Sequence, residues 1–499
     1  MFKKILIANR GEIAVRVIHA CKEMGIRTVA VYSTIDRPSL HVQRADEAVC
    51  IGPPPPLESY LNIDAIIEAA KKTGSGAIHP GYGFLAENHL FAGRCEKEKI
   101  VFIGPGSASM QLVGDKIESR KTMIKARVPI IPGMQMKGGD MAEFRKQAEK
   151  IGYPVMIKAA AGGGGKGMRV VEKEKDLEAA VEAGSREAKT AFGDETVYIE
   201  KCIQNPRHVE FQVLADNHGH VVHLFERECS IQRRHQKIIE ETPSVALDAD
   251  LRRKMGEVAV HVVKETGYAN AGTVEFLLDP EKNFYFLEVN ARVQVEHPVT
   301  ELVTGIDLVK WQIRIAAGEK LTLKQKDLRQ QGHAIECRIY AEDPENNFLP
   351  SPGKILYMRE PSGPGVRHDC GVYSGSEVSV YYDPILSKII VWGEDRPAAI
   401  RKMLLALEQT VFLGIKTPVG FLKDVVGHKD FIAGKTDTGF IEQNMAGWEA
   451  VPEESMAEQA AISAALMTMG KKKKFVQTDA KTAFSPWLAI GKWEIGRGD

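Results

Sequence analysis

The chain has 499 residues, 44% of them hydrophobic, and its 66 Lys plus Arg balance 66 Asp plus Glu to a formal net charge of +0. That length exceeds what one core organises, so about three domains are expected, while the balanced charge excludes a global field for nucleic acid or an anionic membrane and leaves any anion site local. Seven cysteines without a Cys-x-x-Cys pair exclude a zinc knuckle and a disulfide framework and read as buried free thiols; with no cleavable leader and no apolar stretch of spanning length, the chain reads as soluble and cytoplasmic.

Residues 3 to about 114 alternate short apolar runs (Ile5 to Ala8, Thr28 to Tyr32, Ala77 to Ile78, Ile100 to Ile103) with amphipathic stretches, the pattern of a parallel α/β sheet. Ile13, Val17, Cys21 and Met24 share one helical face, closed by Gly25. The first turn, Asn9-Arg10-Gly11-Glu12, lacks the G-x-G-x-x-G spacing that admits a pyrophosphate, which argues against NAD. From about 130 to 203 the strand Val155 to Lys158 leads into Gly162 to Gly167 and then Met168 to Val171, a hairpin with a glycine tip. Such a tip suits backbone amides that approach a ligand, or a flap. It is not a P-loop, because no Lys-Ser/Thr follows at a helix start.

From 204 to about 445 alternating strands such as His208 to Leu214 mix with helical patterns such as Leu251 to Glu265, an α+β reading. Here Thr273 to Leu278 and Phe284 to Asn290 fold about Asp279 to Asn283 as a hairpin that places Glu275 opposite Glu288. Two carboxylates about 5 Å apart repel by about 3 kcal/mol at an effective dielectric of about 20. With Asn290 on the same face they form an oxygen cluster suited to Mg²⁺ that bridges nucleotide phosphates. The next segment alternates Arg292, Gln294 and Glu296, a set that can grip a small planar anion such as bicarbonate while the carboxylate takes its proton. Arg233-Arg234-His235-Gln236-Lys237 adds cations, with a solvated loop as the alternative. Beyond 445 an alanine-rich stretch, Lys471 to Lys474, Trp487 and Trp493 make a tail whose aromatics should pack on this chain or on a partner.

Five motifs together resemble the biotin carboxylase family of ATP-grasp enzymes: Ile7 to Ala14, His79 to Asn88, the glycine run, Glu226 to Ser230 with Gln232 to Lys237, and Asn290 to Pro298. Glu336-Cys337-Arg338 and Phe348 to Gly353 extend the likeness from the N-terminus to roughly residue 445. The resemblance implies an α/β and α+β chain: a Rossmann-like N-terminal domain (1–114), an ATP-grasp domain (115–330) with a mobile lid (130–203), a C-terminal α+β domain (331–445) and an appended tail (446–499). It implies ATP contacts from Lys116, Lys158, Gly163, Gly164, Gly165, Lys166, Gly167, Glu200, Lys201, His208 and His235. Glu275, Glu288 and Asn290 match metal positions, for Mg²⁺ or Mn²⁺. Lys237, Arg292, Gln294 and Val295 would hold bicarbonate, Glu296 would be the general base that leads to carboxyphosphate, and Arg338 with Tyr82 would meet biotin.

No Ala-Met-Lys-Met motif occurs in these residues, so biotin is expected on a separate carrier protein rather than on this chain. A carboxyltransferase partner and a homodimer complete the family expectation, and the tail is read as a docking element. The alternatives are another ATP-grasp ligase and a non-catalytic regulatory subunit. The intact charged set (Lys116, Lys158, Glu275, Glu288, Arg292, Glu296, Arg338) argues against the second.

Overall fold

The first five strands form one parallel sheet in the order β3-β2-β1-β4-β5: β1 (Lys4–Ile7), β2 (Arg27–Ser33), β3 (Glu47–Gly52), β4 (Ala77–His79) and β5 (Val101–Phe102). Helix α1 (Gly11–Glu23) crosses from β1 to β2 and buries Ile13, Val17 and Cys21, as the periodicity predicts. At its entry Arg10 forms a two-point pair with Asp36, at 2.7 and 2.9 Å. The edge strand β3 escapes a reading by hydropathy because alternate residues face outward.

This computed structural model describes residues 1–136, 141–159, 169–192, 195–450, 462, 463 and 465. The expected ligand-contacting run Gly163, Gly164, Gly165, Lys166 and Gly167 lies outside them, as do Trp487 and Trp493. Its flanks pair as expected: β7 (Val155–Ala159) and β8 (Arg169–Val171) are antiparallel with Val155 opposite Val171. With β6 (Gly133–Met136) and β9 (Val197–Lys201) they form a four-stranded sheet, β6-β9-β7-β8. Helix α2 (Lys116–Lys125) precedes it, capped by Asp115, whose carboxylate accepts from the amides of Ile117 (2.9 Å) and Glu118 (3.1 Å). The cap sets Lys116 as the first helical residue.

An eight-stranded antiparallel sheet organises the rest. Its strands are β10 (Arg207–Ala215), β11 (Val221–Arg233), β12 (Gln236–Thr242), β13 (Asn270–Leu278), β14 (Phe284–Asn290), β15 (His333–Tyr340), β16 (Val366–Cys370) and β17 (Ile385–Gly393), in the order β14-β13-β10-β11-β12-β15-β17-β16. The sheet therefore runs across residue 330 without a break, and Met1–Trp448 is one compact unit. Strand alternation gives it two chemically different faces. Phe211, Val274 and Phe276 pack with Met255 and Val262 of helix α3 (Ala249–Glu265), each buried apolar side chain contributing roughly 1.5–3 kcal/mol. Glu210, Glu275 and Arg227 point the other way, toward helix α4 (His297–Thr304).

All seven cysteines are free, but Cys50 is exposed and Cys370 half-buried, which corrects the expectation of uniformly buried thiols. Cys50 lies on the edge strand β3, where one face meets solvent. Among the described residues no helix is long and apolar enough to cross a membrane.

Candidate active site

The β13–β14 hairpin sets Glu275 opposite Glu288, with a bulge just after Glu275, and β10 sets Glu210 opposite Glu275 on its other side. Three glutamates thus stand in a row across three strands. Lys237 answers two of them, its ammonium lying 2.5 Å from Glu210 and 2.8 Å from Glu275. Glu275 Oε1 also accepts from Asn290 (2.8 Å) and Gln294 (2.9 Å). Its Oε2 lies 2.9 Å from His208 Nε2, while Gln232 donates to His208 Nδ1 at 2.7 Å, so the ring proton sits on Nε2 and is donated to Glu275. Burial opposes the ionised form of Glu275, but Lys237 and His208 outweigh it and hold the carboxyl well below the usual range.

Glu288 is the exception. Among the described residues it makes no hydrogen bond or ion pair, and its carboxyl is pushed up, first by burial and then by Glu275, with Lys116 opposing. Glu288, unpaired among the described residues, stands beside the oxygens of Glu275 and Asn290, and the three oxygen side chains are a donor set that fits a hard divalent cation. The tighter groupings His208–Glu210–Glu275 and Glu210–Cys229–Glu296 do not call for one, because Lys237 already lies against Glu210, Glu275 and Glu296.

Past Asn290 the chain leaves the strand, so the expected alternation of Arg292, Gln294 and Glu296 is replaced by an irregular segment that ends with Glu296 at the start of α4. The three side chains still converge, by hydrogen bonding rather than by pleat. Glu296 is buried and accepts from Lys237 (2.9 Å) on one oxygen and from Arg338 (2.9 Å) on the other. Burial raises its pKa, but Lys237, Arg338 and Arg227 together hold it well below the ordinary value. Gln294 is oriented by Arg227, which donates to its Oε1 at 2.9 Å, leaving Nε2 for Glu275. Arg292 is drawn to Glu87 (2.9 Å) and to Asn290 Oδ1 (3.1 Å). The carbonyl of Val295 accepts from the buried ammonium of Lys388.

A cleft of about 420 Å³ adjoins this network, lined by Glu87, Lys116, Lys158, Glu200, Glu288 and Asn290 among others, with apolar walls from Tyr198, Phe286 and Leu287. Lys158 pairs with Glu200 at 2.8 Å, and Arg120 approaches the same carboxylate at 3.6 Å. Lys201, adjacent on β9, points the other way and donates to the carbonyls of Gly152 (2.8 Å) and Tyr153 (3.3 Å), so its side chain does not line the cleft. His235 is exposed at the tip of the β11–β12 hairpin, where it and Arg234 both take positive φ. On the N-terminal side Asn9 donates to the carbonyls of Pro80 and Tyr82, both at 2.7 Å, clamping a turn at Gly81. A Cβ at Gly81, whose φ is +63°, would come within 2.9 Å of that amide. The turn presents Tyr82, whose hydroxyl donates to Glu12, and carries the chain on to Glu87.

Reading by sequence missed Arg227, Glu210, Glu87 and Lys388. Arg227 is fully buried and places all five of its N–H donors: on Glu210 (2.5 Å), Gln212 (2.8 Å), Thr300 (3.0 Å), Thr273 (3.1 Å) and Gln294 (2.9 Å). The signal was there in part. Glu210 with Gln212 and Thr273 with Glu275 alternate on what had to be the polar faces of their strands, and an arginine inside the neighbouring strand is their natural partner.

A small antiparallel sheet beside a larger one, with a charged cleft fed by strands of both, is the ATP-grasp arrangement and defines a ligase of that class. Family models agree segment by segment: "Biotin carboxylase, N-terminal domain" matches residues 1–110, "Carbamoyl-phosphate synthase L chain, ATP binding domain" residues 115–324, and "Biotin carboxylase C-terminal domain" residues 336–443. The chain belongs to the biotin carboxylase family. It is 54% identical over 442 residues to a biotin carboxylase of Nostoc, covering 89% of this chain and 99% of that one. It is also 49% identical over 493 residues to the mitochondrial methylcrotonoyl-CoA carboxylase subunit alpha of Dictyostelium discoideum, covering 99% of this chain and 70% of that one. Among solved structures, the biotin carboxylase domain dimer of Hydrogenobacter thermophilus 2-oxoglutarate carboxylase, in complex with MgADP, ADP and bicarbonate, superposes with a TM-score of 0.86 at 48% identity, covering 91% of this chain and all of that one.

Proposed function

We propose that the network around Glu296 is the place where this ATP-dependent biotin carboxylase activates bicarbonate and passes the carboxyl group to biotin. ATP would lie in the cleft, its phosphates facing Lys116 and Lys158. Glu275, Glu288 and Asn290 would hold Mg²⁺, which when bound neutralises phosphate charge. Arg292, Gln294, Lys237 and the Val295 backbone would grip bicarbonate, and Glu296 would accept its proton. The resulting carbonate oxygen attacks the γ-phosphorus; the bond to the ADP oxygen breaks, leaving carboxyphosphate and ADP. Such transfers rest on positioning and charge neutralisation, which is what a prearranged set of cations supplies. The bond from the carboxyl carbon of carboxyphosphate to its phosphate oxygen would then break; the phosphate released would take the proton of the biotin ureido nitrogen, which attacks the carboxyl carbon, while Arg338 would stabilise the enolate-like biotin formed and Tyr82 would lie against the ring.

The observation that carries this reading is the double ion pairing of the buried Glu296 by Lys237 and Arg338. It keeps the base ionised and ties the nucleotide side of the site to the biotin side through one carboxylate. Biotin would arrive on a separate carrier and pass its carboxyl group to a carboxyltransferase partner. A homodimer and partner docking by the 446–499 tail complete the proposal; the Dictyostelium relative is similar to this chain through nearly all of that tail. The test is ADP release with Mg²⁺, ATP and bicarbonate, with and without free biotin. Biotin should stimulate release, and Glu296→Ala should abolish the stimulation; a folded wild type indifferent to biotin overturns the reading.

A further inference from the structure

Behind Arg338, on the same face of the large sheet, lies a pair of acids that the proposed chemistry does not use. Glu240 of β12 stands directly opposite Glu336 of β15, and both are 0% exposed. Cross-strand neighbours have Cβ atoms about 5 Å apart, so two ionised carboxylates there oppose each other without water to screen them. Among the described residues neither oxygen of Glu336 has a hydrogen-bond partner.

The surrounding cations do not cover both acids. Arg338, two residues from Glu336, lies 2.5 Å from Glu240 and 2.9 Å from Glu296, serving two carboxylates already. Lys388, across the strand on β17, lies 3.3 Å from Glu12 and donates to the Val295 carbonyl. Lys237 on β12 is shared by Glu210, Glu275 and Glu296. From α4, Glu296 faces the pair, while Glu301 pairs with Arg16 and Arg367, and His297 lies 3.9 Å from Glu301. The other face of these strands is apolar, with Ile335, Cys337 and Ile339 in the core. Among the described residues Glu336 is left without a cation of its own. Burial, outweighing Lys388, pushes its carboxyl well above the ordinary range, and burial, outweighing Arg338, pushes Glu240 up to about 7.

We propose that Glu240 and Glu336 keep one proton between them throughout turnover and together act as positioning residues for Arg338, holding its guanidinium toward Glu296 and biotin at a constant local charge. With Glu336 protonated, its O–H is donated toward Glu240, and Glu240 remains a single anion behind Arg338. This rests on the role given above to Arg338, so the test separates the proton from the role. The proton is read in the full chain at pH 7.5 as the infrared carbonyl stretch of an un-ionised carboxylic acid, in the spectrum of wild type minus Glu336→Gln. Glu336→Met, which fills a similar volume without a charge, provides a second difference spectrum should the amide variant fail to fold. The band should be present; its absence overturns the shared proton.

The role is read as biotin-dependent ADP release. Glu336→Gln, which mimics the protonated acid, should retain at least half of wild-type kcat. Glu240→Gln and Glu336→Ala should lower kcat at least tenfold with KM for ATP unchanged. Full turnover in Glu336→Ala, or a loss in Glu336→Gln equal to that in Glu336→Ala, overturns the positioning role even if the band is found. Failure of the broader reading shows itself separately, as a wild type that does not respond to biotin.

Discussion

Removing Arg227 tests whether the site is prearranged by a buried ionic core. In Arg227→Met the side-chain volume is nearly kept, but Glu210, fully buried, retains among the described residues only Lys237, which also serves Glu275 and Glu296. Breaking a buried pair by removing one partner costs about 3–5 kcal/mol, chiefly the uncompensated charge left behind. Unfolding entropy of about 2.1 cal/mol/K per residue, taken over the Met1–Trp448 unit, gives about 0.9 kcal/mol/K. The thermal midpoint should therefore fall by about 3–5 °C in a calorimetric or fluorescence melt at neutral pH. Arg227→Met/Glu210→Gln removes the orphaned charge and should recover part of that loss. A drop below about 1 °C in the single variant, or a double variant no better than the single, would show that Arg227 is not the keystone of the network.

Further expectations concern the chemistry. With Lys237 and Arg338 in place Glu296 stays ionised through the neutral range, and its contribution is lost only as pH falls below the ordinary carboxylate value. Lys237→Met removes its largest opposing cation, so the folded pKa rises and the acid limb of the ADP-release profile should move toward neutrality; an unmoved limb would assign that limb to another group. Arg338→Ala should lower biotin-dependent turnover by roughly 10²–10³-fold while changing biotin-independent ATP cleavage far less, the size expected for losing one prearranged electrostatic stabiliser. Glu288→Gln should raise the Mg²⁺ concentration needed for half-maximal ADP release by roughly tenfold, since it removes the one acid of the donor set that has no partner among the described residues; an unchanged Mg²⁺ titration would place the metal elsewhere. Glu241, which His333 (2.7 Å) and Arg396 (2.7 Å) hold down to about 2 against burial, contributes stability above the ordinary carboxylate value that is lost as pH falls toward 2. Glu241→Gln should cost about 3 kcal/mol at pH 7 and much less at pH 3, read from melts at the two pH values.

Local patterns carried the parts of this protein that depend on neighbours in sequence. The turn at Asp279 to Asn283 joined the two strands in a register that sets Phe276 opposite Phe286, but continued unbroken that register would put Leu287 opposite Glu275; the expected Glu275–Glu288 pair is completed by the bulge just after Glu275. Period-3.6 spacing gave α1, and short β-branched runs gave four of the five strands of the first sheet. Motif resemblance added Lys116, Lys158 and Arg338, which no periodicity singles out. Tertiary structure decided everything that required distant strands to meet. Lys237 could be read as a solvated lysine until β12 brought it among Glu210, Glu275 and Glu296. Lys201 and Glu200 are neighbours in sequence, yet only the orientation of β9 in its sheet turned one into the cleft and the other onto the backbone of Gly152 and Tyr153. Arg227 and the Glu240–Glu336 pair follow the same rule: a buried charge is defined by what surrounds it, and those partners are residues tens of positions away.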